Sequence, residues 1–168
     1  DKIIIVTGAA GLRGSIGHTI VEALADEGAT PVIVCRNERG FEYEKELQQR
    51  GVDSSFVQTD LTSTVQIEEA VQTIAKKYGK IDGLINNVGV NDGASLDDSI
   101  DKFMWSLQLN LVSYFAITKY CLPYLKKSKG SIMNVGSKVA LTGQGGTSGY
   151  AASKGGVLGL TREWAVDL

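Results

Sequence analysis

Tyr150 and Lys154 stand four residues apart in a segment whose pattern predicts a helix, so both side chains share one helix face. An ammonium beside a phenol favours the ionised phenol, which makes the tyrosine a proton acceptor. Ser137 precedes Tyr150 by thirteen residues and follows a predicted strand, at the edge where open α/β sheets bind ligands. These groups indicate acid–base chemistry on a small molecule.

A glycine-rich turn stands near the start of the chain. Thr7–Gly17 reads TGAAGLRGSIG and lies between a predicted strand and a predicted helix. Glycines there allow a tight turn and let backbone amides approach a pyrophosphate at the helix N-terminus, which predicts a dinucleotide site. Helix length favours Gly17 as the last glycine of the motif, and an alternative register ends at Gly14, so the contacts of residues 9–16 stay open.

The residues after the second predicted strand bear on which dinucleotide binds. NAD enzymes carry Asp or Glu about 20 residues after such a turn, to hold the ribose 2′-hydroxyl. This chain has Cys35 and Arg36 there. A guanidinium pairs with a 2′-phosphate, and Arg13 inside the turn would add a second cation. The pattern favours NADP, and Glu38 keeps NAD open as the alternative.

Further polar residues stand where predicted strands end. Asp60 ends the third strand, and Asn86-Asn87-Val88-Gly89 ends the fourth. Asn110 lies inside an otherwise apolar predicted helix, where a polar side chain calls for a hydrogen-bonding reason. We expect these residues near the same edge of the sheet as Ser137.

Together these residues resemble the short-chain dehydrogenase/reductase family. The resemblance covers the whole printed chain and rests on Thr7-Gly8…Gly17, Asp60-Leu61, Asn86-Asn87-Val88-Gly89, Asn110, Ser137 and Tyr150-Ala-Ala-Ser-Lys154. It implies a Rossmann sheet that binds NAD(P), and an enzyme that moves a hydride between the cofactor and an alcohol or carbonyl.

The resemblance also implies residue roles. Tyr150 is the general acid/base, Lys154 favours its phenolate and holds the nicotinamide ribose, and Ser137 positions the substrate oxygen. Asn110 supports a proton relay through water. The glycine turn, the two arginines and the resemblance together predict the following cofactor-binding residues: Gly8, Arg13, Ser15, Ile16, Gly17, Arg36, Asp60, Leu61, Asn87, Gly89, Tyr150 and Lys154.

Three departures from the family pattern stand out. The glycine turn carries three extra residues, Val88 replaces the usual alanine, and Gly136 replaces a common serine. The printed chain also ends within the Tyr–Lys helix, whereas family members continue with two further strands and a substrate loop. We therefore expect residues 1–168 to form a single NAD(P)-binding domain that is C-terminally incomplete.

The substrate is the least readable feature. The residues around Val90–Gly93 and from Ser137 to Trp164 are similar to a sugar-oxidising branch, the L-fucose (aldose) dehydrogenases that make the lactone. The residues expected to bind sugar hydroxyls are Asn91, Asp92, Gln144 and Thr147. The alternatives are a 3-oxoacyl or steroid-type carbonyl reductase and a regulator that binds NADP(H) without turnover, although a regulator has no need of the complete Ser137–Tyr150–Lys154 set.

The elements that position these groups follow an α/β alternation. Short β-rich runs predict five strands, at Lys2–Thr7, Pro31–Arg36, Ser55–Thr59, Gly83–Asn86 and Ser131–Val135. Lys2–Thr7 is a continuous apolar run, as expected of a strand buried on both faces. Helical spacing predicts helices at Ser15–Glu27, Glu42–Gln49, Ser63–Tyr78, Asp101–Leu125 and Ser148–Leu168. Five strands with crossover helices indicate a doubly wound, mostly parallel Rossmann sheet with helices on both faces.

Composition excludes several classes of function. The formal net charge of −2 argues against a nucleic-acid surface, and the longest apolar runs are too short for a membrane helix. Two cysteines and one histidine predict no metal site, and a reducing, cytoplasmic setting is the default. Asp101–Leu125 is apolar nearly all round, which favours contact with a partner subunit. The family resemblance implies that this partner is another copy of the chain, in a homo-oligomer that is a tetramer or a dimer.

Overall fold

The computed structural model describes residues 2–168. Five parallel strands form one sheet in the order β3-β2-β1-β4-β5. They are β1 (Ile3–Thr7), β2 (Thr30–Cys35), β3 (Ser55–Gln58), β4 (Gly83–Asn86) and β5 (Ser131–Asn134). The prediction of a doubly wound parallel sheet is confirmed, and each strand end lies within one residue of its predicted position.

Helices connect the strands. They are α1 (Ile16–Asp26), α2 (Arg39–Gln49), α3 (Thr64–Tyr78), α4 (Ile100–Leu107), α5 (Ser113–Ser128), α6 (Val139–Thr142) and α7 (Ser148–Asp167), with a π-helical turn at Gln108–Val112. The single turn α6 is absent from the sequence prediction, because four residues carry no readable periodicity.

Neighbouring residues of β1 pack into two separate hydrophobic cores, one on each face of the sheet. Ile3 and Ile5 of β1 belong to the core that contains residues of α3 and α5. Val6 belongs to the core on the other side, with Val21 of α1 and Leu47 of α2. Both faces of the sheet are therefore covered, which explains why β1 and β2 read as continuous apolar runs.

The strand order reverses at β1. The chain builds β2 and β3 on one side of β1, and then β4 and β5 on the other. Connections that leave β1 and β4 in opposite directions open a crevice outside their carboxyl ends, which is where doubly wound folds bind ligands. The glycine-rich turn follows β1, and Asn87-Val88-Gly89 follows β4, so both motifs meet at this crevice.

The long helix predicted over Asp101–Leu125 is present, because helical backbone runs without a gap from Ile100 to Ser128. The sequence does not predict the π turn inside it, in which the amide of Ser113 donates to the carbonyl of Gln108, five residues earlier. Asn110 lies inside this turn, and its side chain bonds both backbone groups of Val90. A π turn inserts one residue into a helix and re-aims the side chains after it, and such turns are frequent at functional sites.

Candidate active site

A cleft of about 550 Å³ lies at the carboxyl ends of β1, β2 and β4. Eleven of the twelve predicted cofactor-binding residues line it, and Arg13 does not. They are Gly8, Ser15, Ile16, Gly17, Arg36, Asp60, Leu61, Asn87, Gly89, Tyr150 and Lys154. The structure thus brings the glycine turn, the β4 motif and the Tyr–Lys pair of α7 into one depression.

At two positions of the turn, neighbouring atoms lie so close that only glycine fits. Gly8 has φ +70°, and a Cβ there would lie 2.7 Å from Val88 Cα. A Cβ on Gly17 would lie 2.5 Å from Asn87 Nδ2 and 2.9 Å from Ala9 Cα. Gly14 has nothing within 4 Å of its Cβ position. The close helix–sheet approach expected of the last glycine therefore falls on Gly17.

The helix that receives the turn begins where a pyrophosphate site needs it. Ser15 is the N-cap of α1, and its hydroxyl accepts a hydrogen bond from the amide of His18. The first turn of α1 thus opens on the cleft at Ile16 and Gly17, with its free backbone amides and the positive end of the helix dipole.

The extra residues of the turn form a tight loop beside the cleft. The amide of Ser15 donates to the carbonyl of Leu12, and Gly14 takes φ +77° within this loop. Arg13 is exposed, and its Nη2 pairs with Glu46 Oε1 of α2 at 2.6 Å. The structure therefore directs Arg13 toward α2, away from the predicted second contact with a 2′-phosphate.

The Cys35–Arg36 end of the cleft carries one unpaired cation. Arg36 is exposed in the cleft wall and makes no ion pair among residues 2–168. Hydrogen bonds from the amide and hydroxyl of Thr62 hold the pKa of Asp60 below its usual range, and the nearby Arg36 adds a smaller effect. The Asp60 carboxylate is thus fixed in its ionised form beside a free guanidinium.

Asn87 fastens the end of β4 to the end of β1. Its Nδ2 donates to the carbonyls of Thr7 at 2.9 Å and Gly8 at 3.4 Å. The Thr7 hydroxyl in turn accepts from the amides of Asn87 and Val88. The side-chain amide of Asn87 therefore holds the ends of β1 and β4 together at the floor of the cleft, and the residue also lines the cleft.

Lys154 is a buried ammonium at the wall of the cleft. The residue is 2% exposed, and its Nζ donates to Val135 O at 2.8 Å and to the hydroxyl of Tyr114 at 3.0 Å. Burial lowers the pKa of Lys154 to about 8. Its Nζ lies 5.8 Å from the centre of the Tyr150 ring, so the two predicted catalytic side chains are neighbours in α7.

Ser137 lies beyond the end of β5, at the entry to α6. Its hydroxyl accepts a hydrogen bond from the amide of Val139 at 3.3 Å. The two residues before it, Val135 and Gly136, line the cleft, and Ser137 itself does not. Within the described residues no hydrogen bond joins Ser137 to Tyr150, so Ser137, Tyr150 and Lys154 share an edge of the sheet without forming a closed network.

Asn110 is fully buried, with its side chain committed to protein partners. Its Oδ1 accepts from the amide of Val90 at 2.8 Å, and its Nδ2 donates to Val90 O at 3.0 Å and to Ser106 Oγ at 3.2 Å. A Cβ on Gly89 would lie 3.2 Å from Asn110 Oδ1 and 3.5 Å from Lys154 Nζ. Asn110 thus holds the segment after β4 against the lysine.

The four predicted substrate-binding residues lie on two loops that meet. The amide of Gly149 donates to Ala94 O, and the Cβ position of Gly93 lies 4.0 Å from Gly146 O. Asp92 has one oxygen bonded to the amide of Ala94, while its Oδ2 is buried without a hydrogen-bond partner among the described residues. Gln144 is exposed, Asn91 bonds the amide of Gly93, and Thr147 precedes α7 without capping it.

Tyr114 is the contact that sequence reasoning missed. The residue stands four after Asn110 in an apolar helix, where it reads as ordinary core. A usable signal was its hydroxyl, because buried tyrosines nearly always need a polar partner. The structure supplies Lys154 as that partner.

Two further classes of site receive no support within residues 2–168. No group of three or more His, Cys, Asp or Glu side chains in this range is arranged to hold a metal ion. None of the helices described is both long and apolar enough to cross a bilayer.

Known proteins resemble this chain over nearly all of its length. The L-fucose dehydrogenase of Mus musculus is 34% identical over 99% of this chain, which spans 59% of that protein. The crystal structure of the Cj0485 dehydrogenase matches with a TM-score of 0.92 at 42% identity, over 99% of this chain and 63% of that one. An actinorhodin polyketide ketoreductase structure with NADPH matches with a TM-score of 0.92 at 29% identity, over 99% of this chain and 65% of that one.

The family model for short chain dehydrogenases matches residues 2–168. The chain spans about 60% of the length of the L-fucose dehydrogenases it matches. With the parallel sheet, the glycine turn and the Tyr–Lys pair at one cleft, this match shows that the chain belongs to the short-chain dehydrogenase/reductase family.

Proposed function

We propose that the protein is an NAD(P)-dependent oxidoreductase that interconverts an alcohol and a carbonyl, and that its substrate is a sugar of the L-fucose type. One observation carries the proposal. Tyr150 and Lys154 line the same cleft as the glycine turn that opens onto α1. A proton acceptor beside a dinucleotide-shaped site is what alcohol oxidation needs.

The cleft fits a dinucleotide. The absence of side chains at Gly8 and Gly17 leaves room for a pyrophosphate against the start of α1, where Ser15 and Ile16 present the first amides. Arg36, Asp60 and Leu61 would hold the adenosine end, and Asn87, Gly89 and Lys154 the ribose and nicotinamide side. The bound nicotinamide would supply the hydride acceptor.

The chain's own residues would handle the proton and the substrate oxygen. The Lys154 ammonium would hold Tyr150 as the phenolate, and this phenolate would take the proton of the substrate hydroxyl and become a neutral phenol. Ser137 would hold the substrate oxygen by turning its hydroxyl from Val139 toward the cleft. Asn110 would support a relay water through a backbone group, because its side-chain amide is already occupied.

We propose NADP as the preferred cofactor. The argument rests on Arg36, a cation in the cleft wall with no ion-pair partner among the described residues, because a 2′-phosphate would complete its pairing. A structural relative carries NADPH. Arg13 adds nothing while it pairs with Glu46, and Glu38 keeps NAD as the alternative.

The sugar proposal rests on polar groups of two loops that meet, although none of the four predicted residues lines the cleft itself. Asp92 Oδ2 is a buried oxygen without a partner, which a substrate hydroxyl would satisfy. Asn91, Gln144 and Thr147 lie on the same pair of loops. A site built from such groups discriminates against substrates that lack matching hydroxyls. The likeness to L-fucose dehydrogenase points the same way.

A carbonyl reductase is the second candidate, and its support is the polyketide ketoreductase among the structural relatives. The proposed catalytic groups serve both directions of the reaction, so the substrate decides between the two. A binder without turnover is disfavoured because it has no use for the Tyr150–Lys154 pair at the cleft.

Nicotinamide reduction by the full-length protein, with L-fucose and related aldoses under NADP and NAD in parallel, tests the proposal. We expect faster reduction with NADP, and loss of turnover by at least about 100-fold in Tyr150→Phe while NADPH binding persists. The matched control is Tyr124→Phe, which alters a tyrosine packed in the α3–α5 core. Cofactor binding without any aldose oxidation would reject the sugar substrate and favour the reductase. Unchanged turnover in Tyr150→Phe would reject Tyr150 as the base.

A further inference from the structure

Tyr114 is a buried tyrosine directly behind the cleft. It is 1% exposed and belongs to α5. Its hydroxyl lies 2.9 Å from Val88 O, 3.4 Å from Val135 O and 3.0 Å from Lys154 Nζ. These partners follow β4, follow β5 and belong to α7, so one hydroxyl touches three of the segments that build the cleft.

The hydrogen bonds of this hydroxyl have a fixed direction. An ammonium has donors only, so Lys154 donates and the Tyr114 oxygen accepts. The single proton of the hydroxyl then goes to a carbonyl, and Val88 O is the nearer one. A backbone carbonyl has no proton to pass on, so this contact fixes the position of the lysine and does not conduct protons.

We propose that Tyr114 is a positioning residue whose hydroxyl holds the Lys154 ammonium at the wall of the cleft. Its effect on catalysis rests on the proposed function, because Tyr114 acts only through Lys154. The ammonium has two hydrogen-bond acceptors among the described residues, Tyr114 and Val135 O. Removal of one leaves a buried cation with a single acceptor, which disfavours its charged form.

Few titratable groups surround Lys154, so its titration midpoint can report the loss of the Tyr114 hydroxyl. The titratable groups that face it are Tyr114 from α5 and Tyr150 from its own helix. The segment after β4 and the π turn face it with the neutral residues Gly89 and Asn110, and the segment after β5 with the carbonyl of Val135. A change in the Lys154 midpoint in Tyr114→Phe therefore reports the lost hydroxyl.

The experiment follows the ε-carbon resonance of Lys154 against pH in the full-length protein labelled with ¹³C-lysine. We expect Tyr114→Phe to lower the midpoint by about one pH unit, a roughly 10-fold change in the ammonium-to-amine ratio, as for a lost hydrogen bond to a charged group. Tyr124→Phe removes a hydroxyl from the same helix and should leave the midpoint unchanged. A merely packing role for Tyr114 predicts no shift, and that result would overturn the proposal.

Two measurements keep the test independent of folding defects and of the proposed function. In the unaltered protein, a nuclear Overhauser contact between the Tyr114 ring and the Lys154 ε-methylene is expected, and its absence overturns the proposal without any substitution. NADPH affinity should fall about three- to ten-fold in Tyr114→Phe. A protein that binds neither NADPH nor NADH but shows the midpoint shift rejects the proposed function and keeps the role of Tyr114. NADPH binding without the midpoint shift rejects the role of Tyr114 and leaves the proposed function standing.

Discussion

Lys154 is a cation that the fold buries between two neutral acceptors, the Tyr114 hydroxyl and Val135 O. No carboxylate forms an ion pair with it among the described residues, so its charge costs free energy that hydrogen bonds only partly offset. Such a group persists where its charge serves a purpose, and here it lies beside Tyr150.

The buried charge predicts a specific dependence of stability on pH. Burial lowers the pKa of Lys154 from its ordinary 10.5 to about 8 in the folded state. Between these values the unfolded chain binds more protons, so the stability of the protein relative to Lys154→Met should rise with pH, by about 3 kcal/mol in total. Urea unfolding of both proteins from pH 7 to pH 11 measures this difference. A difference that stays constant with pH would mean that Lys154 is not a buried ammonium.

At the residue scale, local spacing predicts which side chains share a helix face but not which distant groups they meet. Tyr150 and Lys154 reach the cleft because a separation of four residues is a property of any helix. Arg13 departs from its expected place because Glu46 approaches it from α2, and Tyr114 meets Lys154 across forty residues of chain. Neither pairing can be predicted from the periodicity of the sequence.

At the scale of elements, strands are more readable than interrupted helices. Short β-rich runs predict all five strands, and the continuous apolar run of β1 reflects its burial on both faces of the sheet. The π turn at Gln108–Val112 cannot be predicted from the hydrophobic pattern, because one inserted residue changes the direction of the side chains that follow it but not the composition of the helix. Ser63 and Gln66 have the spacing of a capping box at the start of α3, and the structure forms only half of it. Ser63 caps the helix, but Gln66 bonds the amide of Asp60 instead of that of Ser63.

Two glycine substitutions, one in α1 and one in α7, are expected to change the stability of the protein in opposite directions. Gly17→Ala would force a methyl group against Asn87 and the backbone of Ala9, so we expect destabilisation by about 1–3 kcal/mol and weaker NADPH binding. Gly159→Ala adds a methyl in α7 with nothing within 4 Å, so we expect stabilisation by about 0.5–1 kcal/mol. Urea unfolding and NADPH titration measure both. Equal effects of the two substitutions would contradict the close approach at Gly17.

At the scale of the whole molecule, α4 and α5 expose more apolar surface than packing against the sheet explains. Ile100 is 77% exposed and Met104 54%, one turn apart on α4, and Trp105 and Phe115 are also exposed. Exposed large apolar side chains grouped on two successive helices are typical of protein–protein contact surfaces. Together with the sequence pattern of the long helix, they support the proposal of a homo-oligomer built through α4 and α5.

This proposal predicts that a charge placed among these side chains separates the subunits. Met104→Glu would bury a carboxylate in an isologous contact twice over, because the same patch occurs on both partners. We expect the full-length protein to sediment as a dimer or tetramer and Met104→Glu to shift toward the monomer at micromolar concentration. Val65→Glu is the matched control, since Val65 is 63% exposed on α3. A monomeric parent protein, or dissociation by both substitutions alike, would remove α4 and α5 as the interface. Dissociation by Met104→Glu alone would instead make these two helices the contact that assembles the molecule.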